Sequence, residues 1–343
     1  MGYYIIKRIV FVTLVLFVLT TVTFFLSAVA PADPARLWVG PHPAAGQVEA
    51  AQKLLGLDKP IHIRYIHYLG RLLNGDFGDS IRTRQPVSKE LKRYFTATIE
   101  LVTVSTVISL IIAVPIGVYT AFRREKLEDQ LGRIFSFCGV AIPIFWLGMM
   151  LQLLSGSIIE DLPIQGRLSS TLFYTNPLER VTGFFLIDSI LTGNWVVFRS
   201  SLAHIVLPSV TMAFASLAYI VRQTRSSMIE VMNENYIRTA RAFGISERQI
   251  RYKYAFKNGL IPVVTVVGIV YAMNIGGSIL VESIFDWPGL GRQIWFAILN
   301  NDFPVIIGIT IVFAVICCTV NLIVDLLYSV IDPRVKTAGK NIE

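Results

Sequence analysis

Residues 221–262 read VRQTRSSMIEVMNENYIRTARAFGISERQIRYKYAFKNGLIP. Eight of them, from Arg222 to Lys257, are Lys or Arg, and two apolar runs of spanning length flank the stretch, Leu202 to Val221 and Leu260 to Val281. Lys and Arg next to membrane spans are retained on the cytoplasmic side. A basic segment between two such runs is therefore predicted to be a cytoplasmic loop of a membrane protein.

Four further runs are long and apolar enough to cross a bilayer: about Ile9 to Ala30, Ala97 to Phe122, Ile134 to Ser155 and Val305 to Val330, making six. Composition agrees with that count. Of 343 residues, 54% are hydrophobic and 16% charged, against roughly 25% charged in a soluble domain. Six helices of about 20 residues would take up about 120 apolar positions. Disorder, a secreted disulfide scaffold and a typical cytosolic enzyme are excluded. Lys7, Arg8 and the triplet Ala28-Val29-Ala30 imitate a signal peptide. The length of the apolar stretch and Pro31 after the triplet argue instead for a retained anchor. The expected organisation is all-α integral membrane: a transmembrane helix over 1–30, an extracytoplasmic loop region with short helices over 31–96, a transmembrane core over 97–332 with cytoplasmic loop 222–259, and a tail over 333–343.

Charge assigns the sides. Two basic residues precede the first span, four lie between Arg123 and Arg133, eight between Arg222 and Lys257 and three in the tail, seventeen in all. The shorter opposite loops hold only Arg167, Arg180 and Arg199 in one and Arg292 in the other, so both termini are expected in the cytoplasm. Ten more lie between Arg36 and Arg93, in a loop long enough to be translocated regardless of its charge. The net charge of +8 is then a topology signal, not a nucleic-acid footprint. Cys138, Cys317 and Cys318 fall in apolar runs without metal or redox spacing and read as packing residues.

The outer segments have structure of their own. Val48, Ala51, Leu54 and Leu55 form a helical stripe between Gly46 and Gly56, and Ile61, Tyr65, Leu69, Leu72 and Leu73 a second that stops at Asn74-Gly75. Gly75 to Asp79 is a turn by composition. In the second outer loop, Gly183 to Leu191 is too short to span and is expected at the interface or against the protein.

Within the basic loop, Asn233 or Asn235 is placed to cap a short helix with apolar face Tyr236, Ile237, Ala240 and Phe243, Arg238 and Arg241 opposite, and Gly244 as its stop. Ser246 and Gln249 have capping-box spacing and open a second, more basic helix that ends at Asn258-Gly259. A helix of about nine residues is marginal alone in water. It needs a surface: the chain's own spans, the lipid headgroups or a partner. Periodicity does not choose among them.

YIRTARAFG at Tyr236 to Gly244, followed by the basic helix and KNGLIPVV, resembles the cytoplasmic "EAA" loop of binding-protein-dependent ABC importer permeases. More narrowly it is similar to the first permease subunit of the dipeptide and oligopeptide import family. GDFGDS at Gly75 to Ser80, TIEL at Thr98 to Leu101, LTGNW at Leu191 to Trp195, RQTRSSM at Arg222 to Met228, FDWPGLG at Phe285 to Gly291 and NLIVDLLYSVIDPRV at Asn321 to Val335 resemble that family's recurrent segments, in the same order. They extend the likeness over nearly the whole chain. Arg238-Thr239-Ala240 stands where the generic loop has Glu-Ala-Ala, the loop's proline is displaced to Pro262, and Thr96 stands where a proline precedes the second span.

The resemblance implies a type I ABC importer fold. It implies that Asn235 to Gly244 is a coupling helix seated in a cleft of an ATP-hydrolysing subunit through Tyr236, Ile237, Arg238, Thr239, Ala240, Arg241, Phe243 and Gly244. The implied partners are a second permease, two ATPase subunits and an extracytoplasmic binding protein, with membrane lipid around them and no nucleic acid. ATP and Mg would sit on the partners, and no catalytic residue, metal or cofactor is expected on this chain. GxxxxGK[ST] does not occur; the Gly339-Lys340 pair lacks both the upstream Gly and the Ser or Thr. Phe285, Asp286, Trp287 and Gly289 would face the binding protein, or else begin an interfacial aromatic belt.

Polar residues within spans are Glu100, Gln152, Asn274, Asn321 and Asp325; such groups face a bundle interior or a cavity. Glu100 and Asp325 are near span ends, where an interfacial position or pairing with a nearby Arg is expected. Gln152, Asn274, Gly276 and Gly277 are candidates for the translocation path, with close helix packing an equal alternative at the mid-span Asn274-Gly276-Gly277 site. An intramembrane enzyme would need convergent catalytic groups at depth, which His42, His62, His67 and His204 do not supply. A secondary transporter would show paired broken helices in two related halves, and none are visible. The architecture serves peptides, oligosaccharides and nickel complexes; peptide is the expectation by family.

Overall fold

The computed structural model describes residues 2–29, 33–40, 42–158 and 162–331, with backbone alone at 2–5, 7, 158 and 328–331. Ala30 and Pro31 of the signal-like junction and the tail 333–343 lie outside the described residues. The helices are α1 (Gly2–Val29), α2 (Pro34–Val39), α3 (Gln47–Leu54), α4 (Ile61–Leu73), α5 (Val87–Phe122), α6 (Leu127–Ala141), α7 (Ile144–Ile158), α8 (Ser170–Thr175), α9 (Phe185–Leu191), α10 (Trp195–Met232), α11 (Asn235–Ala242), α12 (Glu247–Gln249) leading through a π-helical stretch, Ile250–Ala255, into α13 (Phe256–Gly259), then α14 (Ile261–Ile284), α15 (Leu290–Leu299) and α16 (Phe303–Ile331). Among the described residues there is no strand, only an isolated bridge between Asp79 and Pro86.

Among the described residues, five helices are long and apolar enough to cross a membrane: Arg8–Val29 of α1, all of α5, α10 and α14, and Phe303–Leu327 of α16. The sixth run, Ile134 to Ser155, is not the single helix its hydropathy predicts. It is shared by α6 and α7, which meet at a bend of 99°. Pro143 has no N–H to donate, and its ring disfavours a helical conformation in the residue before it, so Ile142 is extended at φ −79°, ψ 120°. Elsewhere the helices outrun the apolar segments. α5 begins at Val87 rather than Ala97, and its 36 residues reach ~54 Å, against about 30 Å of hydrocarbon. α10 carries RQTRSSM as helix to Met232, so the basic loop starts only at Asn233.

The chain divides into two compact units. One comprises Met1–Thr96 with Gly289–Cys318, the other Ala97–Pro288 with Thr319–Glu343. In the first, Phe24, Tyr68, Ile307 and Ile311 form a core with Tyr65, Leu69, Leu72 and Phe77, and the Phe24 and Tyr68 rings stack 5.2 Å apart. The stripe expected on α4 is present but shifted: Tyr68 joins it, while Leu73, in the last turn, is 89% exposed. In the GDFGDS turn, Asp76 Oδ1 accepts from the Gly78 N–H at 2.8 Å, and Ser80 Oγ donates to the Asp302 carboxylate at 2.5 Å.

The second unit is built around α10, with α6, α7, α9 and α14 packed against it. Small residues let these helices approach closely. A Cβ on Gly139 of α6 would stand 2.8 Å from the Ala218 Cβ of α10, and one on Gly117 of α5 only 2.6 Å from the Thr224 Cβ. Asn194 of LTGNW caps α10, its side chain accepting from the Val197 N–H at 3.2 Å. The fully buried Asp129 of α6 accepts from both Nε and Nη2 of Arg225, which locks α6 to α10.

Candidate functional site

The short helix in the basic loop forms as its periodicity predicts, but its caps differ. Asn233 ends α10, donating its amide to the Ile229 carbonyl at 3.0 Å. Asn235 is already helical, and Glu234 occupies the N-cap position without a side-chain bond. At the other end Gly244 takes φ +74°, and its N–H reaches the Arg241 carbonyl at 2.9 Å while the Ile245 N–H reaches Ala240 at 3.2 Å. That pair of bonds is a Schellman motif, whose left-handed residue is glycine for lack of a Cβ. Ser246 Oγ accepts from the Gln249 N–H at 3.4 Å, and the helix it opens passes into the π-helical stretch. The π turn has no signature in the sequence.

The face of α11 is where expectation and structure part. Ile237 and Ala240, assigned to a partner's groove by resemblance, are 0% and 7% exposed. They pack among Val118, Ala121, Met228, Ile250 and Ala255 of the same unit. The docking surface required by so short a helix is the chain's own core. What faces outward is Tyr236, Arg238, Thr239, Arg241, Phe243 and Gly244, with Phe243 81% exposed. Arg241 donates to Glu247 Oε1 at 2.7 Å, and this hydrogen bond holds the Glu247 carboxyl below its usual range. Among the described residues Arg238 forms no ion pair. The Tyr236 hydroxyl accepts from Asn258 Nδ2 at 2.8 Å, which ties α11 to α13.

The expected path residues have different local surroundings. Gln152 donates its amide to two backbone carbonyls, Ile164 and Ile284, each at 2.9 Å. Buried Asn274 exchanges hydrogen bonds with Ser216 Oγ at 3.1 and 3.2 Å, which joins α14 to α10. Among the described residues, no atom beyond their own stretch of helix lies within 4 Å of a Cβ added at Gly276 or Gly277, so no close helix packing is seen at these two positions of α14.

Phe285 and Trp287 neither face outward nor form a belt: each is 1% exposed. Burying two large rings outweighs presenting them at a surface. The Trp287 indole N–H donates to the Ala97 carbonyl at 2.9 Å, and the Phe285 carbonyl accepts from the Gly166 N–H at 2.8 Å. Asp286, at φ +49°, is the exposed residue of that turn, and Gly289 is buried. Of the three cysteines, Cys317 and Cys318 are half-buried and Cys138 is exposed on the chain by itself.

Glu100 is paired, as its position near a span end suggests. Arg167 Nη2 and Nε reach its Oε2 at 2.5 and 3.0 Å, the Leu186 N–H reaches Oε1 at 2.9 Å, and the guanidinium lies 3.8 Å above the Phe185 ring. Two further buried acids escape a reading by hydropathy. Glu282, fully buried on α14, accepts from Thr98 Oγ1 at 2.6 Å. Asp188 on α9 accepts from Thr182 N and Oγ1 at 2.8 and 2.6 Å and from Gly183 N at 2.8 Å. The available signal was an acid within or at the edge of an apolar run, which marks a buried partner.

Comparison with known proteins gives this architecture a family. Residues 113–337 match the binding-protein-dependent transport system inner membrane component, and residues 1–102 the N-terminal part of such membrane components. The chain is 41% identical over 318 residues to the probable D,D-dipeptide transport system permease protein DdpB of Escherichia coli, covering 93% of each chain. It is 38% identical over 333 residues to the dipeptide transport system permease protein DppB of Alkalihalophilus pseudofirmus, covering 97% of this chain and 99% of the relative. To the glutathione transport system permease protein GsiC of Salmonella typhimurium it is 33% identical over 333 residues, covering 97% and 98%. With likeness of that extent and several helices of membrane-crossing length, the chain belongs to the binding-protein-dependent transport system inner membrane components, the multi-pass permease subunits of ABC importers.

Proposed function

We propose that this permease forms, with a second permease subunit, the path for short peptides delivered by an extracytoplasmic binding protein. ATP and Mg are bound on two separate ATPase subunits that dock from the cytoplasm, where both termini lie. The chain itself carries no catalytic or cofactor site. Support for the substrate comes from the relatives, which are named for D,D-dipeptides, dipeptides and glutathione.

The observation that carries the coupling role is the division of α11 into two faces. Ile237 and Ala240 anchor it to the ends of α5 and α10, while Tyr236, Arg238, Thr239, Phe243 and Gly244 project from that base. A helix seated on the spans passes a push to them as a rigid body. Phe243 is the anchor for a partner's pocket, Arg238 the cation for its rim, and Arg241 stays with Glu247.

The test uses the whole importer reconstituted in vesicles with its binding protein. Phe243→Asp leaves the chain folded and inserted, because the side chain touches little of it. ATP-driven uptake of a labelled dipeptide falls about tenfold or more, since loss of an aromatic hot spot costs ~2 kcal/mol or more. Unchanged uptake removes α11 from coupling. Uptake of an oligosaccharide or a nickel complex in place of the dipeptide overturns the peptide assignment, and uptake driven by an ion gradient without ATP supports a secondary transporter.

A further inference from the structure

The first unit holds a cavity of about 540 Å³ whose lining includes none of the residues assigned to coupling. Its lining includes three side chains of the apolar core of that unit, Phe24, Phe77 and Ile307. The same lining includes four cations, Lys53, Lys59, Arg64 and Arg71, and a single carboxylate, Asp79. None of those four cations forms an ion pair among the described residues.

Tyr68 lies on the same lining, 9% exposed, and its hydroxyl has no hydrogen-bond partner. The neighbouring Tyr65 differs, its hydroxyl bonded to Thr21 Oγ1 at 2.6 Å. A buried hydroxyl left without a partner is costly, and a ligand that brought an acceptor to it would relieve that cost. Burial, then the neighbouring Tyr65, push the phenol up to about 12 against the pull of Arg71, so it keeps its proton at neutral pH.

Location narrows the ligand. Phe24 and Ser27 belong to the last turns of the apolar helix Arg8–Val29, and Phe303 and Pro304 open the apolar helix Phe303–Leu327. The cavity therefore sits where two membrane helices end, at the depth of lipid headgroups. A free anion would have no use for the apolar side chains, and a neutral lipid none for four cations. We propose that the cavity binds an anionic phospholipid, with its phosphate among Lys53, Lys59, Arg64, Arg71 and the Tyr68 hydroxyl and the upper part of its acyl chains along Phe24, Phe77 and Ile307. A volume of this size admits a headgroup and glycerol. The chains continue along α1, most of whose span is unburied.

Native mass spectrometry of the full chain in detergent, titrated with phosphatidylglycerol or with phosphatidylcholine of the same acyl chains, tests this. One phosphatidylglycerol should be retained about tenfold more tightly, since each basic side chain near an anionic headgroup contributes appreciably. Arg64→Gln with Arg71→Gln should abolish the preference, and Tyr68→Phe, which keeps the ring, should weaken phosphatidylglycerol several-fold. Millimolar inorganic phosphate or a dipeptide should leave the complex intact. Equal retention of the two lipids, or a preference untouched by both variants, overturns the proposal. So does displacement by inorganic phosphate, which would mark a simple anion site, or by the dipeptide, which would mark part of the substrate path. If the double variant does not fold by circular dichroism, Tyr68→Phe decides alone.

Discussion

Glu100 and Arg167 form a buried ion pair between α5 and the segment between α7 and α8, with the remaining carboxylate oxygen on the Leu186 amide. Removing one member leaves the other charge buried and uncompensated, at a cost of ~3–5 kcal/mol. Arg167→Met should therefore lower the thermal midpoint in detergent markedly, and adding Glu100→Gln should recover much of the loss. A single variant as stable as the parent would show that the pair does not form. Asp188 supplies a pH dependence. Burial alone would raise its pKa, but the Thr182 hydroxyl and the N–H groups of Thr182, Gly183 and Val181 outweigh burial and hold the carboxyl below its ordinary value. A depressed pKa gives stability that is present above the ordinary carboxylate value and lost as pH falls through the lowered one. The parent should lose more stability in acid than Asp188→Asn does, as thermal midpoints of the two from neutral to acid pH would show. Parallel curves would reject the role. An acid at 100 or 188 is visible in the sequence; the partner that makes it tolerable, 67 residues away for Glu100, is not.

Among the elements, apolar runs predicted which helices exist better than where they end or turn. The bend between α6 and α7 was signalled by Pro143, yet a hydropathy window sums side chains and is blind to backbone torsion. In one continuous helix, labels at Leu131 and Leu153 would stand ~33 Å apart at 1.5 Å per residue. The 99° bend brings them much closer, and spin-label distances on the purified protein should read well below that figure. A value near the straight-helix length would remove the bend. α11 carries the same lesson. Its stripe of Ile237 and Ala240 was plain in the sequence, and periodicity correctly required a surface beneath it. Identifying that surface as the chain's own Val118, Met228 and Ile250 needed the packing, because a stripe records apolarity and not its neighbour.

At the scale of the molecule, topology depends on whether the bent pair counts as a crossing. Six crossings would gather seventeen basic residues on one side, which the positive-inside rule makes the cytoplasm, with both termini there; five crossings would put the C-terminus outside. Reporter fusions at each terminus, one fluorescent only inside and one enzymatic only outside, should both report the cytoplasm. A C-terminal reporter active outside would show that α6 and α7 re-enter rather than cross. The compact units are likewise assembled from remote segments, Gly289–Cys318 joining Met1–Thr96, an arrangement that no boundary drawn along the chain expresses. From sequence alone came the membrane setting, the crossing-length helices and the family-like turns, because in lipid every backbone polar group must be paired within its own helix, so local apolarity and length suffice. Only the tertiary structure decided which face of α11 is free, that Phe285 and Trp287 are buried, which buried acids are paired, and that Tyr68 and four cations share one cavity. Burial and pairing are properties of what lies beside a residue in space, and those neighbours come from distant parts of the chain.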